Sequence, residues 1–135
     1  MVSKFKTCLL VEDDPEDRDF FVQTLLAVSS RAGCYAVANG EEALTALRED
    51  GLTPDYIFTD IQMPRMNGLE FLKTIKCHDE FRDIPVIVYS STYSDEQILK
   101  AKMLGAVAFY SKARFNVLAD ILRKYFGNPH SIALL

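Results

Sequence analysis

The feature that most constrains the fold is a regular alternation of short apolar runs with segments of helical periodicity. The apolar runs lie at 5–11, 34–38, 55–60, 84–90 and 106–111. Several are almost continuously apolar, which is typical of parallel strands covered on both faces. Five strands alternating with five helices predict a parallel sheet with helices on both of its faces.

The intervening segments carry apolar residues at helical spacing. The stripes consist of Phe21, Val22, Leu25 and Leu26, then Leu69, Leu72 and Ile75, and last Val117, Leu118, Ile121, Leu122, Tyr125 and Phe126. The last stripe is the clearest, and Gly127 and Pro129 after it are typical of a helix end.

Capping signals support these helices. Asp14 before Pro15 is typical of an N-cap followed by proline at the first helical position. Three further pairs have the spacing of a capping box, in which a polar cap is followed three residues later by Glu or Gln. These pairs are Asn39 with Glu42, Asn67 with Glu70, and Ser94 with Gln97.

The length and composition favour one domain. A chain of 135 residues, 49% of them hydrophobic, is long and apolar enough for a single core. Right-handed crossovers leave few topologies. The flavodoxin-like strand order 2-1-3-4-5 is one of the two common doubly wound orders, and it is the order that we expect here. This domain is expected to span 1–127, with 128–135 as a short tail.

Composition also narrows the partners. The net charge of −4 argues against a nucleic-acid surface, and no apolar run approaches the ~18 residues of a membrane span. We therefore expect a cytoplasmic protein without direct contacts to nucleic acid or membrane.

The three cysteines are expected to have structural roles. Cys8, Cys34 and Cys77 lack the CxxC spacing of a metal or redox site, so we interpret them as packing thiols.

Polar residues follow the predicted strands at their carboxyl ends, where ligands bind in such folds. Glu12 and Asp13 follow strand 1, Asp60 ends strand 3, Ser90 ends strand 4 and Lys112 follows strand 5. Clustered carboxylates push one another toward protonation unless a cation compensates them. Mg²⁺ takes oxygen ligands, and no histidine or cysteine nearby suggests zinc. The pattern predicts a divalent cation at this edge.

Together these motifs resemble the receiver domain of two-component response regulators, which are CheY-like proteins. The resemblance rests on "VEDD", "DIQMP", a hydroxyl residue ending strand 4 and a lysine after strand 5, and it covers 4–126. It implies a regulator that accepts a phosphoryl group from a histidine kinase or histidine phosphotransfer protein. Such a protein is a switch in phosphorelay signalling and not a turnover enzyme.

The resemblance also implies roles for individual residues. Asp60 matches the phospho-acceptor, and Mg²⁺ (or Mn²⁺) is expected on Glu12, Asp13, Asp60 and the backbone carbonyl of Gln62. Ser90 matches the hydroxyl that turns toward the phosphoryl oxygens, and Lys112 matches the lysine that pairs with them. Phe109 falls at the aromatic switch position.

Other residues near the motifs are expected to have structural roles. Asp14 is interpreted as a helix cap outside the metal site, and Glu16 and Asp17 as a solvated helix start favoured by the helix dipole. Ala113 follows the lysine where the family usually has proline. Because a cis bond before a non-proline residue costs about 2.5–4 kcal/mol, the geometry of the Lys112–Ala113 bond stays open.

Two rival functions are weaker. A haloacid-dehalogenase-type phosphatase needs a second acid two residues after its nucleophile, but Gln62 occupies that position. A degenerate receiver would bind partners without phosphorylation, which the complete acidic and lysine set does not favour. We expect output through an unknown protein target, and a homodimer linked to phosphorylation is a further form that the resemblance allows.

Overall fold

The computed structural model describes residues 5–112 and 115–127, and it contains strands and helices in strict alternation. The strands are β1 (Thr7–Val11), β2 (Gly33–Val37), β3 (Tyr56–Thr59), β4 (Val86–Ser90) and β5 (Ala108–Ser111). The helices are α1 (Pro15–Val28), α2 (Gly40–Arg48), α3 (Gly68–Lys76), α4 (Asp95–Met103) and α5 (Phe115–Phe126). Pro129, Ala113 and the 128–135 tail lie outside the described residues.

The strands form one parallel sheet in the order β2-β1-β3-β4-β5. This order confirms the flavodoxin-like fold predicted from the alternation. Side chains alternate across the sheet, so Leu9 and Val11 pack with α2 and α3, while Cys8 and Leu10 pack with α1 and α5. Two apolar cores therefore lie on opposite faces of the sheet.

The central strands are buried on both faces, whereas the edge strands are partly open. Every residue of β4 is buried, but in β2 the Tyr35 side chain is 46% exposed. Two predicted stripe residues also differ from expectation, because Leu26 of α1 and Val117 of α5 are exposed. An apolar stripe indicates the buried face of each helix, but residues at the edge of the stripe can extend past the layer that covers the helix.

The capping predictions are largely confirmed. Asp14 caps α1 by accepting a hydrogen bond from the Glu16 N–H, and Pro15 is the first helical residue. Complete capping boxes form at the starts of α3 and α4. The α2 box is half formed, because Asn39 accepts from the Glu42 N–H while the Glu42 carboxylate accepts from the Ala38 N–H instead.

Hydrogen bonds just past the strands fix the residues that follow them. The Glu12 N–H donates to the Val37 carbonyl at 2.9 Å, and the Asp60 N–H donates to the Val11 carbonyl at 3.0 Å. At the other side of the sheet, the Lys112 N–H donates to the Ser90 carbonyl at 3.0 Å. Because parallel strands end at the same edge, these bonds fix the backbones of Glu12, Asp60 and Lys112 along that edge.

Close packing of α3 against the end of β3 requires glycine at 68. A Cβ added there would lie 1.9 Å from the Asp60 carbonyl oxygen, which is far inside van der Waals contact. The Gly68 N–H also donates to the Ile61 carbonyl at 3.0 Å. The absence of a side chain thus lets α3 begin directly beneath Asp60.

In the part of the chain that the structure covers, no helix combines the length and apolar character needed to cross a bilayer.

We expect Gly68→Ala to lower the free energy of unfolding by about 3 kcal/mol, because the clash is with backbone and cannot be relieved by rotating a side chain. Chemical denaturation would measure this loss. Gly33→Ala is the matched control, since its added Cβ would meet a Thr7 methyl group at 3.1 Å that can give way. Equal losses in the two variants would contradict the proposed packing constraint.

Candidate functional site

Three carboxylates meet at the carboxyl edge of the sheet. Glu12, Asp13 and Asp60 can each place one oxygen within 4.8 Å of the others. Glu12 and Asp60 are buried, whereas Asp13 is exposed. Glu12 and Asp13 come from the end of β1 and Asp60 from the end of the neighbouring strand β3, so the sheet brings together the acids predicted from the sequence.

The Lys112 ammonium lies among these acids. Its Nζ is 2.6 Å from Glu12 Oε1 and 2.8 Å from Asp60 Oδ2. The lysine side chain is only 13% exposed, so these ion pairs are shielded from water and interact more strongly than a surface pair. Lys112 therefore compensates part of the negative charge that the strand ends collect.

Burial and charge shift the protonation equilibria at this edge. Burial is the largest cause that raises the pKa of Glu12, and the nearby charge of Asp60 acts in the same direction. The hydrogen bond from Lys112 opposes both effects, and the net pKa is about 7. For Lys112, burial lowers the pKa, but hydrogen bonds to its carboxylate partners outweigh burial and raise it above its ordinary value. The lysine therefore stays charged, and the three carboxylates can attract a further cation.

The Asp60 carboxylate is held through both of its oxygens. Oδ1 accepts from Ser90 Oγ at 2.6 Å and from the Ile61 N–H at 2.7 Å, while Oδ2 accepts from Lys112. The Ser90 hydroxyl is fully buried and also lies 3.3 Å from the Thr92 carbonyl. Asp60, Ser90 and Lys112 thus form one hydrogen-bonded group from three different strand ends.

Asp14 is separate from this group, as the sequence predicted. Its side chain caps α1, and its own N–H donates to Glu12 Oε2 at 3.2 Å. Arg18 of α1 donates from Nη1 to the Glu12 carbonyl at 2.8 Å. The start of α1 therefore contacts both the side chain and the backbone of Glu12.

Asp17 lies in the first turn of α1, as predicted, but it is not only a solvated helix residue. Asp17 Oδ2 accepts a hydrogen bond from Lys112 Nζ at 2.7 Å, and its side chain is only 43% exposed. The sequence places the two residues 95 positions apart. Only the tertiary structure, in which α1 packs against α5, brings them together, because the local pattern of Asp17 is that of an ordinary helix start.

Phe109 is partly buried and packs on the core that includes the inner residues of β3 and β4. The Tyr93 ring meets it edge-on with centroids 5.0 Å apart, and the Tyr93 hydroxyl donates to Ser111 Oγ at 3.1 Å. Tyr93 was not predicted from the sequence, where it is one aromatic residue in a polar loop. It links the loop after β4 to β5, next to the proposed switch residue.

Two other expected features are not tested by these contacts. Gln62 lies in the loop after β3 with an exposed side chain, and its carbonyl as a metal ligand stays a prediction. The Lys112–Ala113 bond lies outside the described residues.

The donor set fits a hard divalent cation such as Mg²⁺. All three candidate side-chain ligands are carboxylates, the exposed Asp13 leaves one side open to water, and one oxygen from each lies within 4.8 Å of the others. Magnesium typically binds one or two carboxylates and keeps several waters. Asp60 and Asp13 with the buried Glu12 supply such a set.

Two known proteins are similar to this chain over most of its length. The two-component response regulator ORR1 of Oryza sativa subsp. indica is 40% identical over 123 residues, which cover 86% of this chain and 53% of the rice protein. The protein-glutamate methylesterase/protein-glutamine glutaminase 6 of Anaeromyxobacter dehalogenans is 35% identical over 114 residues, or 84% of this chain and 31% of that protein. The chain thus spans about half the length of the first relative and about a third of the second.

Solved structures agree on the fold. The phosphorylated cyanobacterial phytochrome response regulator RcpA superposes with a TM-score of 0.82 at 25% identity, covering 91% of this chain and 94% of RcpA. The Mn²⁺-bound response regulator Rcp1 has the same fold, with a TM-score of 0.83 at 23% identity over 90% of this chain and 94% of Rcp1. The response regulator receiver domain family matches residues 8–123. The chain therefore belongs to the response regulator receiver domain family.

Proposed function

We propose that this protein accepts a phosphoryl group on Asp60 from a histidine kinase or a histidine phosphotransfer protein. The observation that carries the proposal is the group around Asp60, in which Ser90 donates to one carboxylate oxygen and Lys112 to the other. A carboxylate held in this way is fixed for attack, with a cation and a hydroxyl already beside it. The family membership supports the same role.

The chemistry follows from charge. An Asp60 oxygen attacks the phosphorus atom of a phosphohistidine, the P–N bond breaks, and its electron pair stays on the donor imidazole. Both reactants are anionic, so catalysis depends on positioning and on neutralising the phosphoryl oxygens. Lys112 supplies a fixed positive charge and Ser90 a hydrogen-bond donor at the acceptor carboxylate.

We propose Mg²⁺ (or Mn²⁺) as the cofactor, bound by Glu12, Asp13, Asp60 and the Gln62 carbonyl. When bound, the cation would neutralise negative charge on the phosphoryl oxygens. The compact all-oxygen donor set of this chain supports that assignment.

The phosphorylated state would differ mainly at the ends of β4 and β5. A phosphoryl group adds negative charge and acceptor oxygens where Ser90 and Lys112 donate. A shift of Ser90 would move the loop that carries Tyr93, whose ring packs on Phe109. We propose that this coupling changes a face that binds a downstream protein target, and that phosphorylation-linked homodimerisation is one form of the output.

In this proposal, the protein is a signalling switch and not a turnover enzyme with a separate substrate. A haloacid-dehalogenase-type phosphatase would need an acid at position 62, and the amide of Gln62 cannot exchange a proton in that role. A degenerate, phosphorylation-independent binding module is not favoured, because Asp60 retains its Ser90 and Lys112 contacts.

We also propose that the receiver domain spans 1–127, that a tail spans 128–135, and that the protein is cytoplasmic.

We expect Asp60→Asn to abolish phosphorylation by acetyl phosphate with Mg²⁺, because the amide lacks the nucleophilic carboxylate. Intact-protein mass spectrometry would show one added phosphoryl group on the wild type. Asp14→Asn is the matched control and should be labelled like the wild type, since asparagine caps a helix as well as aspartate. Labelling of Asp60→Asn at the wild-type level would refute the acceptor assignment.

For the metal, we expect Asp13→Asn to weaken Mg²⁺ binding by at least about tenfold, since even supporting residues of metal sites contribute that much. Calorimetric titration would measure the dissociation constant. Asp14→Asn removes the same charge one residue away, and we expect its affinity to stay close to that of the wild type. Unchanged affinity in Asp13→Asn would remove this residue from the site.

We expect Ser90→Ala to uncouple the acceptor from the Tyr93 loop. Beryllofluoride with Mg²⁺ mimics the phosphoryl group and should shift the amide resonances of Tyr93 and Phe109 in the wild type. The shifts should largely disappear in Ser90→Ala and persist in Ser91→Ala, which alters an exposed neighbouring hydroxyl. Full shifts in Ser90→Ala would show that the loop responds without this hydroxyl.

A further inference from the structure

One partner of Lys112 lies outside the acids that can hold a metal. Lys112 Nζ contacts Glu12 and Asp60, and at 2.7 Å it also contacts Asp17 Oδ2. The acids that can share a cation are Glu12, Asp13 and Asp60. Asp17 thus pairs with the lysine without being a candidate metal ligand, whereas Glu12 and Asp60 are both candidate metal ligands.

The position of Asp17 is fixed by the start of α1. Asp14 caps the helix, Pro15 occupies its first position, and the Arg18 guanidinium is bonded to the Glu12 carbonyl at 2.8 Å. The backbone of Lys112 is fixed as well, through its N–H to the Ser90 carbonyl. The Asp17–Lys112 ion pair therefore joins two anchored points from opposite ends of the chain.

A lysine at this position needs such an anchor. Its ammonium is a point charge on a flexible four-carbon stem, and a lysine and a divalent cation that use the same carboxylates repel each other. With Glu12 and Asp60 as its only partners, Lys112 would compete directly for metal ligands. Asp17 offers a counter-ion on the α1 side that the metal group does not use.

We propose that Asp17 is a positioning residue for Lys112, whose carboxylate anchors the ammonium so that lysine and divalent cation can share Glu12 and Asp60. This inference rests on the proposed function, because it concerns the same acceptor site. Asp17 does not touch the reacting atoms in this role. Its effect on the site passes through Lys112.

A double-mutant cycle tests this dependence. Mg²⁺ affinity would be measured by calorimetry for the wild type, Asp17→Asn, Lys112→Met and the double variant. We expect Asp17→Asn to weaken Mg²⁺ binding about three- to tenfold when Lys112 is present, as for directly coupled residues. In the Lys112→Met background, the same change should have little effect.

Asp19→Asn is the matched control, since it removes one charge from an exposed position of the same helix and should leave the affinity unchanged. Thermal unfolding of each variant would verify that it is folded. Equal weakening by Asp17→Asn in both backgrounds would show a general charge effect and overturn the positioning role, as would no weakening in either.

The readout uses no phosphoryl donor, so it is independent of whether Asp60 is the acceptor. Failure of the proposed function would appear as labelling of Asp60→Asn, or as a wild type that binds no Mg²⁺. Failure of the positioning role would appear as a cycle without coupling in a protein that does bind Mg²⁺. The two results are therefore distinguishable.

Discussion

The ion pair between Lys112 and Asp60 is the interaction on which the carboxyl edge of the sheet depends. Two buried carboxylates, Glu12 and Asp60, lie next to each other, and burial is the largest cause of the raised pKa of Glu12. Without a cation, this edge would carry uncompensated charge in a poorly solvated place, which is costly. The lysine offsets that charge and at the same time lies beside the carboxylate that we propose as the phosphoryl acceptor.

The rest of the fold serves to keep these groups together. Parallel strands bring the ends of β1, β3 and β5 to one edge, and hydrogen bonds one residue beyond the strands fix the backbones of Glu12, Asp60 and Lys112. Gly68 allows α3 to begin against the Asp60 carbonyl. The same features that stabilise the sheet therefore determine the distances on which the proposed phosphoryl transfer depends.

Most of the fold and the main members of the site could be predicted, because they depend on local patterns. The apolar runs predicted the strands to within about two residues, as expected for strand boundaries, and the observed strand order is one of the two common orders that right-handed crossovers leave. Asp17 and Tyr93 could not be predicted. Asp17 has the local pattern of a helix start, and its partner Lys112 lies 95 residues further along the chain. Tyr93 has the pattern of a loop residue, and its partner Phe109 lies in a different element, β5.

By itself, the sequence determined the parallel α/β architecture, the helix caps and the identity of the acids, hydroxyl and lysine at the strand ends. These properties depend on residue type and on spacing along the chain, which a sequence displays directly. Only the tertiary structure decided that Lys112 is shared among three carboxylates and that one of them comes from α1. That arrangement depends on how α1 and the end of β5 are positioned relative to each other in the fold, and no local pattern encodes distances between separate segments.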